Sequence, residues 1–475
     1  MKRAVLLGAV SAIALSCGGA QPPAPSDPGA QPAPPGTPVM EASPQPVAVV
    51  EVPPAEAEPE PATEPSRVDL EGGEWGMFHG GRERHGVAAL PAIQQPRIRW
   101  KAKVGIQGWL NSPISIGNLV IVPSSGAAHN TPDAGDGVVA LDLKSGQRAW
   151  FTQFGQDANG AAATKERVFA TSDDGSVYGL ESRTGKVLWK QPGQGKMYTH
   201  PLLFKDLVIV GDAGGYVRAF NANTGNPKWA LQLIGAIRGG ASADQTHIYV
   251  ASQAGEVAKL DEAGKALWRV RAESRSWDGK KDQPVQIYSP LISHEGVVIV
   301  PFSRDTYYRD QPGILALDKK SGKTVWRGKG PGDWGNVRTT PVLVGGALVY
   351  AEPYSGDIAA LSAATGRMIY RTTVGACFFP AWATAAAASD VVYIPRFDSI
   401  VHAVRASDGS RLWQIYLGDS RKAGGPVPKE ISGMQGCEWD VPAGSAAYSP
   451  AAIAGDGALL VGTHEGFLYA IEDRR

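Results

Sequence analysis

Charge is scarce in this sequence. Charged residues make up 19% of its 475 residues, and 46 basic side chains are balanced by 46 acidic ones. No block of basic residues occurs, whereas a protein that binds nucleic acid needs a basic surface to neutralise phosphates. We therefore exclude nucleic acid as a partner.

Long apolar runs are also lacking, and no segment is predicted to be a transmembrane helix. At the N-terminus, Lys2 and Arg3 precede an apolar run over 4–15 that is too short to span a bilayer, which is typical of a signal peptide. The run ends in Ala-Leu-Ser before Cys17, a sequence that resembles the bacterial lipobox. We expect 1–17 to be a lipoprotein signal peptide with Cys17 lipidated, and an ordinary signal peptide with an incidental cysteine is the alternative. Gly18 provides no Asp-type retention signal, which favours the outer membrane, facing the periplasm or the cell surface.

Residues 18–67 are rich in Pro, Ala and Glu, as in Gln-Pro-Ala-Pro-Pro at 31–35. Such a composition cannot bury a core and favours an extended, disordered chain. We interpret this region as a spacer between the lipid and a folded domain over 68–475.

The folded domain consists of repeats. A copy such as Gly-Val-Val-Ala-Leu-Asp-Leu-Lys-Ser-Gly-Gln-Arg-Ala-Trp at 137–150 recurs about every 40 residues, a period typical of a four-stranded propeller blade. The turn glycine of each copy supplies a positive φ, and the following tryptophan is expected to fill the wedge between blades. The aromatic residues predicted to anchor the blades are Trp100, Trp150, Trp189, Trp229, Trp268, Trp326 and Trp413, with Tyr370 in one copy.

The pattern Ala-x-Asp-x-x-x-Gly-x-x-x-Trp, intact at 140–150, resembles the repeat of pyrroloquinoline-quinone (PQQ) propellers. The stretch from Trp75 through Gly86 is similar to the lead-in of that family. The last copy, from Gly466, lacks its Trp strand, and the strand around Trp100 lacks preceding partners. We therefore predict an all-β, eight-bladed propeller of four-stranded antiparallel blades, closed by the N-terminal strand completing the C-terminal blade.

The resemblance implies two functional classes. Quinoprotein dehydrogenases hold PQQ against adjacent disulfide-bonded cysteines, with calcium on Glu, Asn and Asp oxygens. BamB-like lipoproteins have no cofactor and take part in outer-membrane protein assembly. Because this sequence has no Cys-Cys pair and no evident calcium cluster, we predict a non-catalytic scaffold without cofactor or metal. Its partners would be envelope proteins such as the β-barrel assembly machinery. A PQQ-dependent dehydrogenase, or a ligand-binding or sensory propeller, is the alternative.

Residues just before the inner strands are predicted to lie at one mouth of the central channel. Arg and aromatic side chains converging on a funnel suit protein recognition. The alternative is a wet polar lining. The residues are Trp109, Asn111, Tyr198, Arg238, Tyr288 and Arg338. The long loops at 271–286 and 303–312 are further candidates for binding.

The two remaining cysteines, Cys377 and Cys437, follow the outermost strands of neighbouring blades and precede the next inner strands. They are therefore predicted to lie in equivalent connections on one face, and we expect a disulfide between them. Two buried free thiols are the alternative.

Overall fold

The computed structural model of the chain describes residues 75–108, 110–275, 281–303, 312–330, 337–352, 356–373, 383–419, 421–427 and 446–474. The predicted signal peptide and spacer, the three cysteines and Trp109 lie outside these residues. Within the described ranges, no helix has the length and apolar character needed to cross a bilayer.

The described residues form strands with a single turn of 3-10 helix at Phe78–Gly80. In chain order the strands are β1 (Val87–Ala88), β2 (Pro96–Lys103), β3 (Ile114–Ile116), β4 (Leu119–Ser125), β5 (Asp136–Asp142), β6 (Arg148–Gln153), β7 (Ala158–Ala163), β8 (Arg167–Ser172), β9 (Ser176–Glu181), β10 (Val187–Pro192), β11 (Leu202–Phe204), β12 (Leu207–Gly211), β13 (Tyr216–Asn221), β14 (Pro227–Gln232), β15 (Ser242–Ala243), β16 (Ile248–Ala251), β17 (Glu256–Leu260) and β18 (Ala266–Arg271). They continue with β19 (Glu273–Arg275), β20 (Asp282–Pro284), β21 (Ile292–His294), β22 (Val297–Pro301), β23 (Ile314–Asp318), β24 (Thr324–Arg327), β25 (Val342–Val344), β26 (Ala347–Ala351), β27 (Asp357–Ser362), β28 (Met368–Thr373), β29 (Ala386–Ala388), β30 (Val391–Pro395), β31 (Ile400–Arg405), β32 (Arg411–Tyr416), β33 (Ala452–Ile453), β34 (Leu459–Gly462) and β35 (Phe467–Asp473).

These strands form eight blades around a ring, which confirms the predicted fold. Blades 1 to 4 are β3–β6, β7–β10, β11–β14 and β15–β18; blades 5 to 7 are β21–β24, β25–β28 and β29–β32. Blade 8 is built from β33, β34, β35 and β2. Neighbouring strands within each blade are antiparallel, and a separate hairpin of β19 and β20 follows blade 4.

The ring closes through its two ends. β2 pairs antiparallel with β35, from Pro96 opposite Asp473 to Lys103 opposite Phe467. The N-terminal strand therefore completes the C-terminal blade, as predicted, and removes two sheet edges that would otherwise be open.

Burial follows position in the blade. Inner strands such as β11 are buried at every residue, because both faces of a blade pack against its neighbours. Outer strands such as β28 alternate between exposed and partly buried residues. Apolar side chains therefore pack in clusters between neighbouring blades, such as those that join blades 4 and 5 and blades 5 and 6.

The tryptophans connect each blade to the next. Trp150 in blade 1 lies opposite Ala140 on β5, and its Nε1 donates a hydrogen bond of 2.9 Å to the Ser182 carbonyl in blade 2. Gly185 of blade 2 has φ 73°, and a Cβ there would lie 2.5 Å from the Trp150 ring. The repeat therefore needs Gly at this turn for two reasons, a left-handed backbone and the close approach of an indole. The other interblade Nε1–carbonyl pairs are Trp100–Leu143, Trp189–Ala222, Trp229–Glu262, Trp268–Lys319, Trp326–Ala363 and, at the ring closure, Trp413–Ile93.

Residues 75–88, which we call the hub segment, run around the centre of the ring. One backbone N–H of the inner strand donates to this segment from each of blades 1 to 7. The donor–acceptor pairs are Ser115–Trp75, Ala163–Gly76, Leu203–Met77 (to sulfur), Ala243–Arg82, Ser293–Glu83, Leu343–His85 and Ala387–Gly86. The segment ends as β1, which joins β29 of blade 7 in parallel. The hub segment therefore fills the centre of the ring and satisfies inner edges that would otherwise be open.

Candidate interaction surface at the channel mouth

Strand direction decides which loops share a face. Inner strands start where the outer strand of the preceding blade has ended, and the turn between the second and third strands of each blade returns to that same end. These connections therefore surround one mouth of the channel, whereas the glycine turns before the tryptophan strands lie on the opposite face. We call the half-buried residues that precede the inner strands the mouth residues: Tyr198, Arg238, Tyr288, Arg338 and Tyr448.

The mouth residues have a common local setting. Each is partly exposed, while the residue before it and the two residues after it are buried. Around blades 3 to 6 they alternate Tyr198, Arg238, Tyr288 and Arg338. The propeller repeat therefore holds one side chain from each of these blades at the rim, since flanking residues are fixed in the core.

Arginine and tyrosine pair along this rim. The guanidinium carbon of Arg238 lies 4.1 Å from the centre of the Tyr198 ring, and that of Arg338 lies 4.9 Å from the centre of the Tyr288 ring. Both distances are within the range of a cation–π interaction. Each guanidinium thus lies over an aromatic ring in the absence of a partner protein.

Gln253 links the two pairs. Arg238 donates from Nε to Gln253 Oε1 at 3.3 Å, and Gln253 donates from Nε2 to the Tyr288 hydroxyl at 3.2 Å. Tyr198, Arg238, Gln253, Tyr288 and Arg338 therefore form a connected array across blades 3 to 6. Among the described residues, no acidic side chain pairs with Arg238.

Carboxylates lie on the adjoining part of the mouth, and each is bonded. Asp157 accepts from the Asn130 amide at 3.1 Å and lies 3.4 Å from His129 Nδ1. Burial favours the neutral form of Asp157, but these hydrogen bonds outweigh it and lower the pKa of the carboxyl. Asp173 accepts from Lys196 at 2.7 Å. Burial opposes the charge on Lys196, yet Asp173 raises the pKa of that amine. Because Asp157 and Asp173 already bond to neighbouring side chains and amides, they do not form an ion pair with Arg238.

The blade 8 side of the mouth is aromatic. Tyr448 packs edge-on against Phe397, with ring centres 4.8 Å apart, and lies 6.5 Å from the His464 ring. Burial raises the pKa of Tyr448 despite the charge of Arg338, and burial with the neighbouring His129 lowers the pKa of His464. Both groups are therefore neutral near pH 7, and this sector offers aromatic surface.

Asn111, predicted as part of this surface, lies in the wall beneath it. It is only 1% exposed, its Nδ2 donates to the Ala158 carbonyl at 2.7 Å, and its Oδ1 accepts from the Gly108 amide. Asn111 therefore joins blades 1 and 2, and we remove it from the candidate surface. Trp109 cannot be placed, since it lies outside the described residues, as do most of the loop 303–312 and residues 276–280 of the loop 271–286.

Sequence reasoning missed Tyr448 and Gln253. The first had a usable signal, because Ala-Tyr-Ser-Pro at 447–450 repeats the Ile-Tyr-Ser-Pro of 287–290 that contains Tyr288. Gln253 had none, because a polar residue in a turn is unremarkable until its contacts are known.

A family model described as outer membrane protein assembly factor BamB matches residues 134–236 and 215–378. The chain belongs to this family. A BamB from Burkholderia pseudomallei is 33% identical over 135 residues, which is 28% of this chain and 33% of that protein. Alignments with the first three curated relatives span 33%, 65% and 61% of their lengths, so the chain matches less than two thirds of each.

Solved structures support the fold alone. BamB from Moraxella catarrhalis matches with a TM-score of 0.57 at 13% identity, covering 79% of this chain and 99% of that one. Quinohemoprotein alcohol dehydrogenase from Comamonas testosteroni matches with a TM-score of 0.60 at 14% identity, covering 85% and 81%. The fold therefore does not distinguish an assembly factor from an enzyme, so the distinction has to rest on the residues of the site.

The residues that the structure describes do not fit a PQQ–calcium site. The sequence has no adjacent cysteines, and within the described ranges no group of three or more His, Cys, Asp or Glu side chains could hold a metal ion. Asp157 and Asp173, the carboxylates described above at this mouth, are bonded to His129 and Lys196. A hard cation needs several converging oxygens.

Proposed function

We propose that this protein is a non-catalytic propeller scaffold of the cell envelope, exported, lipidated at Cys17, and active in outer-membrane protein assembly. Its partner would be a protein of the β-barrel assembly machinery, bound at the channel mouth. Family membership supports the assembly role. The observation that carries the choice of surface is the connected Tyr–Arg array across blades 3 to 6.

Tyrosine and arginine, together with tryptophan, are enriched among the residues that contribute most binding energy to protein interfaces. Side chains that are already stacked and hydrogen-bonded lose little conformational freedom on binding. Arg238 adds a planar guanidinium without an acidic partner among the described residues, which suits a carboxylate on the partner. The array therefore offers aromatic contact area, a low loss of side-chain entropy on binding, and a preference for a negatively charged group on the partner.

A pull-down from detergent-solubilised envelopes tests this proposal. The wild-type protein is compared with a variant carrying Arg238→Ala and Arg338→Ala. The matched control carries Arg148→Ala and Arg183→Ala, two exposed arginines on the opposite face. We expect the β-barrel assembly machinery to be recovered with the wild type and the control and lost with the mouth variant.

Two outcomes would contradict different parts of the proposal. Equal recovery by the mouth variant would reject the channel mouth as the binding surface. Failure of the wild type to recover the assembly machinery, with a cytochrome recovered instead, would reject the assembly role and favour a quinoprotein dehydrogenase.

A further inference from the structure

One backbone N–H from each of seven blades donates to the backbone of the hub segment or to the Met77 sulfur. The side chains of Arg84 and His85 add hydrogen bonds to carbonyls of blades 3 to 5. No single blade holds it, so it should attach and detach as one unit. Its removal would expose seven backbone N–H groups at the centre of the ring.

The backbone of the hub segment is under strain. His79 and Arg84 have φ values of 58° and 63°, a left-handed conformation that non-glycine residues rarely adopt. A Cβ at Gly86 would lie 2.1 Å from His79 Nε2, so the segment is also tightly wound on itself.

Polar atoms around the hub segment are incompletely paired. His200 Nδ1 and the hydroxyls of Ser242 and Ser293 on two inner strands are buried without a hydrogen-bond partner among the described residues. Unpaired buried polar groups weaken an interface. Together with the strained backbone, this makes the hub segment easier to release than the strands within a blade.

Three groups that carry or can accept positive charge are stacked at its centre. The ring of Phe78 lies parallel to that of His200, with centres 3.9 Å apart, and the Arg84 guanidinium carbon lies 5.8 Å from the Phe78 centre. His79 Nδ1 is 2.6 Å from the Arg84 carbonyl. His79, Arg84 and His200 are each at most 4% exposed.

No buried acid in the part of the chain that the structure describes balances this cluster. Within the described ranges, Arg84 donates to the carbonyls of Phe78, Pro201 and Ala241 and to no carboxylate. Arg84, His79 and His200 act electrostatically on one another. Two further groups act on members of this cluster: His85 of the hub segment, and the half-exposed Glu83, which pairs with Arg82. His85 in turn faces His294, beside Glu295 and Lys319. A proton added to His79 or His200 would therefore be buried beside a cation.

Titration follows this geometry. Burial, with the charge of Arg84, lowers the pKa of His79 to about 3 and lowers the pKa of His200 well below its usual value. Burial also lowers the pKa of Arg84 to about 9. Both histidines are neutral while the hub segment is in place.

We propose that the hub segment is an acid-released plug of the central channel, which detaches as one unit when His79 and His200 take up protons. The two histidines bind protons more readily in the open state, so the closed state loses stability as pH falls below about 6.5. The opening constant is the equilibrium constant for detachment of the hub segment. With an ordinary pKa of about 6.5 for each histidine in the detached state, lowering the pH from about 7.5 to about 5 raises this constant about 30-fold for each histidine and about 900-fold for both.

Hydrogen exchange of the full-length protein across this pH range tests the proposal, after correction for intrinsic exchange rates. The probes are the seven inner-strand amides that donate to the hub segment, and amides that pair β12 with β13 inside blade 3 are the internal reference. We expect the seven to become less protected together as pH falls, while the reference amides stay protected.

Variants supply the second readout. His79→Gln should reduce the gain in the opening constant from about 900-fold to about 30-fold, since one titrating group remains. His247→Gln, at a partly exposed histidine outside the hub segment, should leave the gain unchanged. Opening that is independent of pH, opening of the seven amides at different pH values, or loss of protection in blade 3 at the same pH would each overturn the proposal.

Discussion

Replacing Trp150 by alanine should show how much one interblade tryptophan stabilises the ring. The side chain is 8% exposed, its ring covers Gly185, and its Nε1 donates to the carbonyl of buried Ser182. Truncation of a buried large aromatic residue costs about 3–5 kcal/mol, since transfer energy is lost and a cavity remains. Trp150→Phe keeps a ring over Gly185 but leaves the Ser182 carbonyl unpaired, so we expect a loss of about 1–3 kcal/mol.

Equilibrium urea unfolding followed by circular dichroism measures these losses, with the slope of the transition checked for change. The matched control is Trp229→Ala, which removes the equivalent residue of blade 3. Because Trp229 is more exposed than Trp150, its loss should be smaller. A loss below about 1 kcal/mol for Trp150→Ala, or equal losses at both positions, would refute the burial argument.

Three further predictions concern residues or cofactors that the described structure does not contain. Cys17→Ser should move the exported protein from the membrane to the soluble fraction, and unchanged membrane association would reject lipidation. Non-reducing peptide mapping should recover Cys377 and Cys437 in one disulfide-linked product, whereas free alkylation of both without reductant would reject the bond. Titration with PQQ and calcium followed by a dye-reduction assay should show neither micromolar binding nor turnover, and observing both would reverse the non-catalytic assignment.

The blade architecture was predictable because its determinants are local and repeated. Trp150 and Gly146 occupy fixed positions in a sequence copy that recurs. Because each copy places a tryptophan between two blades, each copy predicts one blade of the same structure. The structure adds the reason for the alanine in the pattern: Ala140 lies opposite Trp150. In blade 2 the same place is Gly179, where a Cβ would lie 2.2 Å from the Trp189 ring.

The candidate surface was only partly predictable. The sequence placed Arg238 and Tyr288 near the same mouth, because both precede inner strands. It could not show that Arg238 stacks on Tyr198 and reaches Gln253, since those contacts depend on side-chain conformation between neighbouring blades. The same limit applies to Asn111, which shares its region of the repeat with surface residues but turns inward to bond blade 2.

The hub segment escaped sequence reasoning for a different reason. It contributes about one residue to each blade, so it has no period of its own. Six of the seven inner-strand amides that donate to it bond backbone carbonyls, which carry no sequence signal. Arg84 also contradicts the usual rule that arginine is exposed. Only the lead-in from Trp75 through Gly86 suggested that these residues belong to the folded domain.

Both closures of the propeller are made by one stretch outside the repeats. β2 supplies the missing outer strand of blade 8, and the hub segment supplies acceptors for the inner strands of blades 1 to 7. Between them lies Ile93, whose carbonyl accepts from Trp413 and whose amide donates to Tyr393, so even this connection ties blade 7 to the ring closure. A chain of repeats alone would leave a gap in the ring and open edges at its centre. The residues that make the ring complete are therefore the ones that a search for repeats leaves out.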